Sequence, residues 1–442
     1  MQQLQRVLVA AAGFSVAASP AFDRAHADDP RTVPKNYYQL STEWQGFCKS
    51  LDIVNDRERR TPVLAKTDYV SGQHWKVTPA ADGYFYLETE WQGPGKRLDI
   101  LNDGANDKPV LAAAGAYSGQ QWRIDPAGGD HYFLSTKWQG AGKRLDIVND
   151  ATASRPALAW AAHVSGQKWR FTRVARVGPP PAALRANAFY KKHVDADGIP
   201  ILSSNVTPDA ALYRARFIVM QMLSGQPDVR DQMIRNGARV AIMAATEGTT
   251  DIPEHSGFNA REDACDALDP ATTPDPNDVW PDYCVACPSA PARRCIDWNK
   301  RARGLGGAVG APLTTGSEEN LICQGQAVDR YDGEDIFLHE FAHAIHGLGL
   351  SLADPSFDTD LQFAFDEATR LGRWQENDDI YALDNPSEYF AEGVQSWFNV
   401  NQAPGGVHND VDTRGELETY DPLLYALIAK HFPADVSACS CQ

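Results

Sequence analysis

The sequence has no uninterrupted apolar run of about 18 or more residues, so it predicts no membrane-spanning helix. Basic residues are in deficit, because 41 lysines and arginines stand against 58 aspartates and glutamates, a formal net charge of −17. This balance disfavours nucleic acid or an anionic membrane as a bulk partner. What remains is an acidic chain of 442 residues, long enough for two or three domains.

A second Cys-x-x-Cys pair is also missing. The first is formed by Cys284 and Cys287, and a structural zinc ribbon needs two such pairs. The eight cysteines are Cys48, Cys265, Cys284, Cys287, Cys295, Cys323, Cys439 and Cys441. We expect them to form disulfides that constrain the Pro/Asp-rich insert between Ala260 and Trp298, although their spacing alone predicts no pairing.

The N-terminus has the organisation of a secretory signal peptide. Arg6 precedes an apolar stretch from Val7 to Ala18, and Ala25-His26-Ala27 forms a small-residue cleavage site. We therefore expect residues 1–27 to be a signal peptide and the protein to be secreted and extracellular. A buried N-terminal helix is the alternative interpretation.

A threefold repeat fills the N-terminal half. Trp44, Trp91 and Trp138 recur at intervals of 47 residues and open the phrases WQGFCKSLDIVND, WQGPGKRLDILND and WQGAGKRLDIVND. The same interval separates the tryptophans of three Gln-x-Trp phrases, which are Trp75, Trp122 and Trp169. Short alternating runs between Gly, Asn and Asp turns predict strands. One unit cannot bury its own tryptophan, but three units together can close a core.

Three four-strand units that each end in Gln-x-Trp resemble the ricin-type β-trefoil. The resemblance implies an all-β trefoil over residues 36–173, with the Gln-x-Trp tryptophans in the core and the glutamines bracing the backbone. It also implies sugar sites that combine an early aspartate, an aromatic platform and a polar residue near the Gln-x-Trp phrase. The candidates are Asp52, Asp99, Asp146, Trp160 and Gln167.

The third repeat is the best of the three candidate sugar sites. Lys66 and Ala113 stand where the third repeat has Trp160, so only this repeat offers an aromatic residue there. In the lectin family an asparagine often precedes the glutamine of the Gln-x-Trp phrase. Here glycine stands at that position, as Gly72, Gly119 and Gly166. The trefoil therefore targets either glycans or a protein partner, and a pure docking or spacer module stays open.

A Pro-rich linker at residues 174–181 separates the trefoil from a second domain at 182–442. In that domain, periodicity predicts a helix over Pro208–Ser224 and a strand over Ala238–Ala244. The strand is either an edge strand that pairs with extended substrate or an interior strand. The run Gly304–Gly310 lacks the Lys-Ser/Thr of a phosphate loop and predicts a flexible cleft loop.

The phrase HEFAH at residues 339–343 reads HExxH on a predicted helix. The pattern predicts that this helix begins near Asp332 and ends at the pair of glycines 347 and 349. Residues four apart share one helix face, so His339 and His343 can present two imidazoles to one metal ion. Glu340 lies beside them as a candidate general base.

A catalytic zinc site needs a third protein ligand and an open position for water. His346 lies about two helical turns, or ~10 Å, beyond His339, too far to share the ion. A second predicted helix, beginning near Pro386, carries Glu388 and Glu392 on one face. One carboxylate can bind the metal while the other accepts the Nδ1–H of a ligand histidine.

HExxH followed by a helix bearing ExxAE resembles the gluzincin metallopeptidases, most closely those like the anthrax lethal-factor catalytic domain. The resemblance covers about residues 330–400 and implies an α+β zincin-like domain. It implies Glu388 as the third ligand of one Zn²⁺ per chain and Tyr381 as a hydroxyl that stabilises the oxyanion. Glu392 would orient a ligand histidine. The implied function is a zinc-dependent metalloendopeptidase acting on protein or peptide substrates.

Two other functions stay open at this stage. The chain could be a carbohydrate-binding lectin or adhesin whose peptidase-like domain is structural or inactive, although the complete set of ligands, base and tyrosine argues against it. It could also be a zinc amidase that cuts a non-protein amide, such as one in a cell wall.

Overall fold

The computed structural model describes residues 29–32, 36–258, 283–287, 290–375, 380–402 and 408–433. The predicted signal peptide, residues 1–27, lies outside these ranges, as do Cys265, Cys439 and Cys441. The chain divides into two compact units, the first ending at Arg176 and the second running from Val177 to His431. No helix in the described ranges is both long and apolar enough to cross a membrane.

The described part of the first unit contains a closed six-stranded barrel and three two-stranded hairpins. The barrel strands are β1 (Tyr37–Thr42), β4 (Trp75–Pro79), β5 (Phe85–Thr89), β8 (Trp122–Gly128), β9 (His131–Thr136) and β12 (Trp169–Arg173). The hairpin strands are β2 (Lys49–Ile53), β3 (Pro62–Lys66), β6 (Lys96–Ile100), β7 (Pro109–Ala113), β10 (Lys143–Ile147) and β11 (Pro156–Trp160). Each repeat thus gives two strands to the barrel and one hairpin. This is a β-trefoil, so the all-β prediction for this region is confirmed.

The tryptophans of the Gln-x-Trp phrases form the centre of the trefoil core. Trp75, Trp122 and Trp169 are all 0% exposed. Each indole N–H donates to a carbonyl of its own repeat. The acceptors are the carbonyl oxygens of Leu51, Leu98 and Leu145, at 2.7, 2.8 and 2.9 Å. Burial of a large ring with its polar atom satisfied stabilises the core without leaving an unpaired donor, and the predicted core role is confirmed.

Hydrogen bonds from the WQG phrases join the repeats into a ring. The donors are the side-chain amides of Gln45, Gln92 and Gln139, and the acceptors are the carbonyl oxygens of Ala153, Arg59 and Asn106, at 2.9, 2.5 and 3.1 Å. Every acceptor lies in a different repeat from its donor. These partly exposed glutamines therefore have a structural reason to recur.

The second unit contains a four-stranded sheet in the order β13-β14-β15-β18. Its strands are β13 (Lys192–Ala196), β14 (Ile199–Ser203), β15 (Arg239–Met243) and β18 (Leu313–Ser317). Strands β14, β15 and β18 are parallel, and β13 is antiparallel to β14. The strand predicted at Ala238–Ala244 is β15. Because Val240 pairs with both Ile201 and Thr314, the edge-strand role is wrong and the interior alternative is confirmed.

Helices cover much of the remaining described residues of this unit. They are α1 (Asp209–Met222), α2 (Pro227–Arg235), α3 (Trp298–Arg301), α4 (Glu318–Leu321), α5 (Ile336–Ala344), α6 (Ser351–Ala353), α7 (Phe357–Arg370), α8 (Pro386–Trp397), α9 (Arg414–Tyr420) and α10 (Pro422–His431). The helix predicted over Pro208–Ser224 is confirmed as α1.

Both predicted ends of the HExxH helix need correction. Helix α5 begins after Asp335, not near Asp332, because the Asp335 carboxylate accepts the Leu338 N–H at 2.9 Å and caps the first turn. Beyond Ala344 the chain continues as a π-helical turn, Ile345–Leu350, instead of ending at the glycines. A Cβ at Gly349 would lie 2.7 Å from Val229 Cγ1, so glycine there permits close packing against α2.

A disulfide links Cys287 to Cys295 across the hairpin formed by β16 (Cys284–Cys287) and β17 (Ala290–Ile296). This bond lies within the insert where disulfides were expected. Cys48, Cys284 and Cys323 are also disulfide-bonded, and none of the described cysteines is free. The Cys-x-x-Cys pair therefore serves disulfides and not a structural zinc.

Replacing Trp122 with alanine should lower the free energy of unfolding of the first unit by about 3–5 kcal/mol, because it empties a core position. Trp160→Ala is the matched control, since that side chain is 78% exposed and its loss should cost less than about 0.5 kcal/mol. Urea unfolding followed by circular dichroism measures both. Equal losses in the two variants would contradict the core position of Trp122.

Candidate metal centre

Helices α5 and α8 bring three predicted ligands together. Helix α5 lies on β18, where a Cβ at Gly316 would come within 2.7 Å of the Phe337 ring, so glycine makes room for the helix. In α8 the Asn385 side chain accepts the N–H groups of Ser387 and Glu388 at 2.9 and 3.1 Å. This cap fixes the start of the helix, so that Glu388 in its first turn lies opposite the histidines.

Two imidazole nitrogens and one carboxylate oxygen converge on a single point. His339 Nε2 lies 3.0 Å from Glu388 Oε2, His343 Nε2 lies 3.1 Å from the same oxygen, and the two nitrogens are 3.1 Å apart. We call these three atoms the donor triangle. Within the described residues it is the group of His, Cys, Asp and Glu side chains suited to a metal ion.

A buried amide orients the first histidine. His339 Nδ1 donates to Gln395 Oε1 at 2.7 Å, and Gln395 Nε2 in turn donates to Glu334 Oε2 at 3.2 Å. The glutamine amide can face only one way, because its nitrogen has a carboxylate acceptor. The Nδ1 atom of His339 therefore carries hydrogen, and its Nε2 points into the donor triangle as the atom that would bind a metal ion.

A serine orients the second histidine. His343 Nδ1 is 2.8 Å from Ser387 Oγ, so its Nε2 also faces the donor triangle. Ser387 directly precedes Glu388 in the first turn of α8. A single helical turn therefore supplies one member of the donor triangle and the hydrogen-bond partner of another.

The sequence predicts that Glu392 accepts the Nδ1–H of a ligand histidine, but in the structure Gln395 accepts it from His339. Glu392 Oε1 lies 3.7 Å from His339 Nδ1, beyond hydrogen-bond distance. The other oxygen of Glu392 accepts from Asn401 Nδ2 at 3.0 Å and lies 3.4 Å from His408 Nδ1. Glu392 thus contributes negative charge near the ligand, and Gln395 sets its orientation.

The electrostatics of the donor triangle favour a positive charge. Burial alone would lower the pKa of His339, but the carboxylates of Glu388, Glu392 and Glu340 together outweigh burial and raise this pKa to about 10. Burial likewise opposes ionisation of Glu388, yet the two imidazoles hold its pKa well below the usual range. The donor separations also fit zinc, since ligands held ~2.0–2.1 Å from a tetrahedral ion lie about 3.3–3.4 Å apart.

The Gly-rich run lies directly against the HExxH helix. A Cβ at Gly304 would lie 2.7 Å from Glu340 Cγ, and one at Gly306 would lie 2.5 Å from His343 Cβ. Leu305 forms a backbone bridge with Thr315 of β18. The run therefore borders the site, and its glycines permit close approach to the helix, while its flexibility stays a prediction. Burial raises the pKa of the Glu340 carboxyl, and this effect is larger than the opposite effect of the nearby histidines.

Tyr381 lies beside the donor triangle, in a short 3-10 turn just before α8. Its ring centroid is 6.1 Å from that of His339. Burial raises the pKa of its hydroxyl, and the Glu388 and Glu340 carboxylates raise it further. The charge of the Arg301 guanidinium, which the sequence motifs did not indicate, lowers the pKa of the same hydroxyl but does not outweigh burial.

In the trefoil, each candidate aspartate is part of the same brace. Its Oδ1 accepts the next backbone N–H at 2.7–2.8 Å, and its Oδ2 accepts the amide of the glutamine in its own repeat at 2.9–3.2 Å. The pairs are Asp52 with Gln73, Asp99 with Gln120, and Asp146 with Gln167. Each glutamine also donates to a backbone carbonyl and accepts a backbone N–H of its own repeat, so its predicted role in bracing the backbone is confirmed.

The glycines before these glutamines have a steric cause. A Cβ at Gly72, Gly119 or Gly166 would lie 2.3, 2.4 or 2.5 Å from the aspartate Oδ1 of its repeat. An asparagine cannot occupy these positions without moving the carboxylate. Trp160, at the end of β11, is 78% exposed and lies near Lys143 Nζ, 5.7 Å from the ring centroid.

No protein-family model matches the chain, and no curated protein matches it. Solved structures similar to part of it include ThreeFoil, a designed 3-fold symmetric protein, with 25% identity over 31% of this chain and 99% of that one, at a TM-score of 0.28. A Macrolepiota procera ricin B-like lectin in complex with lactose has 17% identity over 32% of this chain and 99% of that one, at a TM-score of 0.28. The BEL beta-trefoil has 9% identity over 32% of this chain and 95% of that one, at a TM-score of 0.27.

Replacing Gln395 with methionine should weaken zinc binding roughly 10–100-fold, because His339 loses the acceptor that orients it. Glu392→Gln should have the smaller effect, since no hydrogen bond joins residue 392 to the histidine. Competition with a chelator measures the affinity, and Gln375→Met, on the exposed surface, is the control. If Glu392→Gln weakens binding more than Gln395→Met does, the assignment of the orienting residue is wrong.

Proposed function

We propose that the second unit is a zinc-dependent metalloendopeptidase of the α+β zincin-like class. The donor triangle carries the proposal, because two imidazole nitrogens and one carboxylate oxygen are the ligands of a catalytic zinc that keeps a position open for water. His339, His343 and Glu388 would hold one ion per chain. The sheet with the HExxH helix packed on β18 supports the fold class.

The chain's own residues can supply the remaining chemistry. When bound, zinc provides a Lewis acid that polarises the scissile carbonyl and makes water more acidic. Glu340 takes a proton from the attacking water while the water oxygen bonds to the carbonyl carbon. The same proton passes to the amide nitrogen as the C–N bond breaks. Tyr381 donates to the carbonyl oxygen while that oxygen carries negative charge.

An extended peptide is the substrate class that the surroundings favour. The segment from Gly304 to Gly307 runs beside α5 and bridges β18 through Leu305. It brings main-chain groups close to the donor triangle, where an extended substrate can pair with backbone. A non-protein amide would be cut by the same chemistry, so peptide and cell-wall amide substrates need direct comparison.

We further propose that the protein acts outside the cell. Disulfide bonding of the described cysteines supports an oxidising compartment. The signal peptide expected from the sequence supports the same location.

Two substitutions distinguish the role of the metal ligand Glu388 from that of the base Glu340. Glu388→Ala should lose about one zinc per chain and all peptidase activity, because it removes a ligand. Glu340→Gln should keep zinc and the fold but lose most turnover, because the attacking water has no proton acceptor. Elemental analysis and a peptide-library digest measure the two effects, with the exposed Glu418→Ala as control. A fully active Glu340→Gln protein would contradict the mechanism.

We also propose that the third trefoil repeat binds a glycan. The exposed Trp160 ring carries this proposal, because it stands at the end of β11 in the repeat that contains the Asp146–Gln167 brace. An apolar ring beside fixed polar groups is a suitable surface for a sugar. The ricin B-like lectin similar to this region is described in complex with lactose, which supports the same class of ligand.

Trp160→Ala should reduce glycan affinity about two- to tenfold, since a lost aromatic contact is worth ~0.5–1.5 kcal/mol. Lys66→Ala, at the equivalent exposed position of the first repeat, should leave affinity unchanged. A glycan array identifies the ligand, and calorimetry compares the variants. Unchanged binding in Trp160→Ala would assign the site elsewhere, and no binding by the wild-type protein would favour a docking or spacer role.

A further inference from the structure

His346 lies close to the metal centre without belonging to the donor triangle. It stands three residues after His343, in the π-helical turn, so its side chain leaves the same side of the helix about one turn further along. Its ring packs against the rings of Phe357 and Phe390, at centroid distances of 5.3 and 5.7 Å, and its side chain is 18% exposed. These contacts limit the movement of the imidazole, so its two nitrogens keep their polar neighbours.

A chain of polar side chains runs from the second metal ligand through His346 towards the surface. His343 Nδ1 lies 2.8 Å from Ser387 Oγ, and the same hydroxyl lies 3.4 Å from His346 Nδ1. His346 Nε2 lies 3.1 Å from Asp358 Oδ1, and the Asp358 side chain is 60% exposed. The contact between the hydroxyl and His346 is the longest of the three. We call Ser387, His346 and Asp358 the serine relay.

The hydrogen-bonding capacity of each group fixes the direction of the serine relay. A carboxylate only accepts, so His346 Nε2 carries the hydrogen that faces Asp358. Burial lowers the pKa of His346, so at neutral pH the ring has one such hydrogen and its Nδ1 accepts from the Ser387 hydroxyl. Serine has a single hydroxyl hydrogen, and its oxygen can therefore only accept from His343. His343 Nδ1 is the donor, which leaves its Nε2 to bind a metal ion.

The first metal ligand has an equivalent chain. His339 Nδ1 donates to Gln395, and the Gln395 amide donates to the Glu334 carboxylate. Each ligand histidine thus donates to a neutral side chain whose own hydrogen points towards a carboxylate. The two chains end on different elements, since Glu334 precedes α5 and Asp358 lies in α7. One packing contact between helices therefore does not account for both.

We propose that His346 is a positioning residue for the metal ion, which acts through Ser387 to keep hydrogen on Nδ1 of His343 and to direct Nε2 into the donor triangle. Asp358 holds the His346 ring so that its Nδ1 accepts from the serine. A ligand histidine whose outer nitrogen donates to an acceptor is better oriented and more basic. The proposal rests on the metal site of the function proposed above, but not on its peptidase activity.

The test measures zinc affinity by competition with a chelator in Ser387→Ala, His346→Leu, His346→Gln and the double variant of Ser387→Ala with His346→Leu. His346→Gln is the conservative variant, because an amide can accept from the serine through its oxygen and donate to the carboxylate through its nitrogen. His431→Leu is the matched control, since that ring packs on the same Phe357 ring, at 5.4 Å, outside the serine relay. Melting temperatures record lost packing, and NMR of zinc-loaded protein with labelled histidine follows exchange of the His343 Nδ1 hydrogen.

We expect Ser387→Ala to weaken zinc binding roughly 10–100-fold and His346→Leu roughly tenfold, with His346→Gln within about threefold of the wild-type protein. The Nδ1 hydrogen should exchange faster in His346→Leu. The double variant should bind zinc no more weakly than Ser387→Ala, because His346 acts only through the serine. Asp358→Ala should weaken binding in the same direction, and its exposed position tests the serine relay without loss of core packing. His431→Leu should lower the melting temperature but keep zinc affinity.

Equal losses of zinc affinity in His346→Leu and His431→Leu, or a loss in His346→Leu that persists in full beside Ser387→Ala, would overturn the proposal and make His346 a packing residue. No recovery in His346→Gln, or wild-type affinity in both His346→Leu and Asp358→Ala, would overturn it as well. Zinc binding without cleavage of any peptide would contradict the proposed peptidase function alone. A wild-type protein that binds no zinc would contradict both.

Discussion

The contact between α5 and α8 is the interaction on which the candidate site depends. It brings His339 and Glu388, forty-nine residues apart in sequence, to 3.0 Å. Apolar packing against other elements holds each helix in place, since Phe337 lies against β18 and the Phe390 ring contacts Phe357 of α7. Polar groups then fix the orientation of each imidazole. The apolar and polar contacts act together, because neither alone would direct three lone pairs to one point.

Local periodicity made a large part of this structure predictable. The 47-residue repeat leads to the trefoil because equal units need one another to bury Trp75, Trp122 and Trp169. The HExxH spacing likewise predicts that His339 and His343 share a helix face, and the structure shows their Nε2 atoms 3.1 Å apart. Both inferences use distances of a few residues, over which backbone geometry determines where side chains point.

Features that depend on how elements rotate against each other could not be predicted. Glu388, Glu392 and Gln395 share one face of α8, so the sequence cannot choose which of the last two meets His339; the rotation of α8 against α5 decides it. The pairing of β15 on both sides, which excludes an edge position, depends on strand order.

The end of the β10–β11 hairpin, which carries Trp160, shows how the trefoil could gain further ligand sites. Lys66 and Ala113 occupy the same place at the ends of β3 and β7, and both are exposed, so aromatic rings could be exchanged there at little cost to folding. Ligand sites on one rigid body bind a repeating surface together, and such avidity can exceed the single-site affinity by about 10²–10⁴. Aromatic residues at these two surface positions would thus extend the single glycan site proposed here to three.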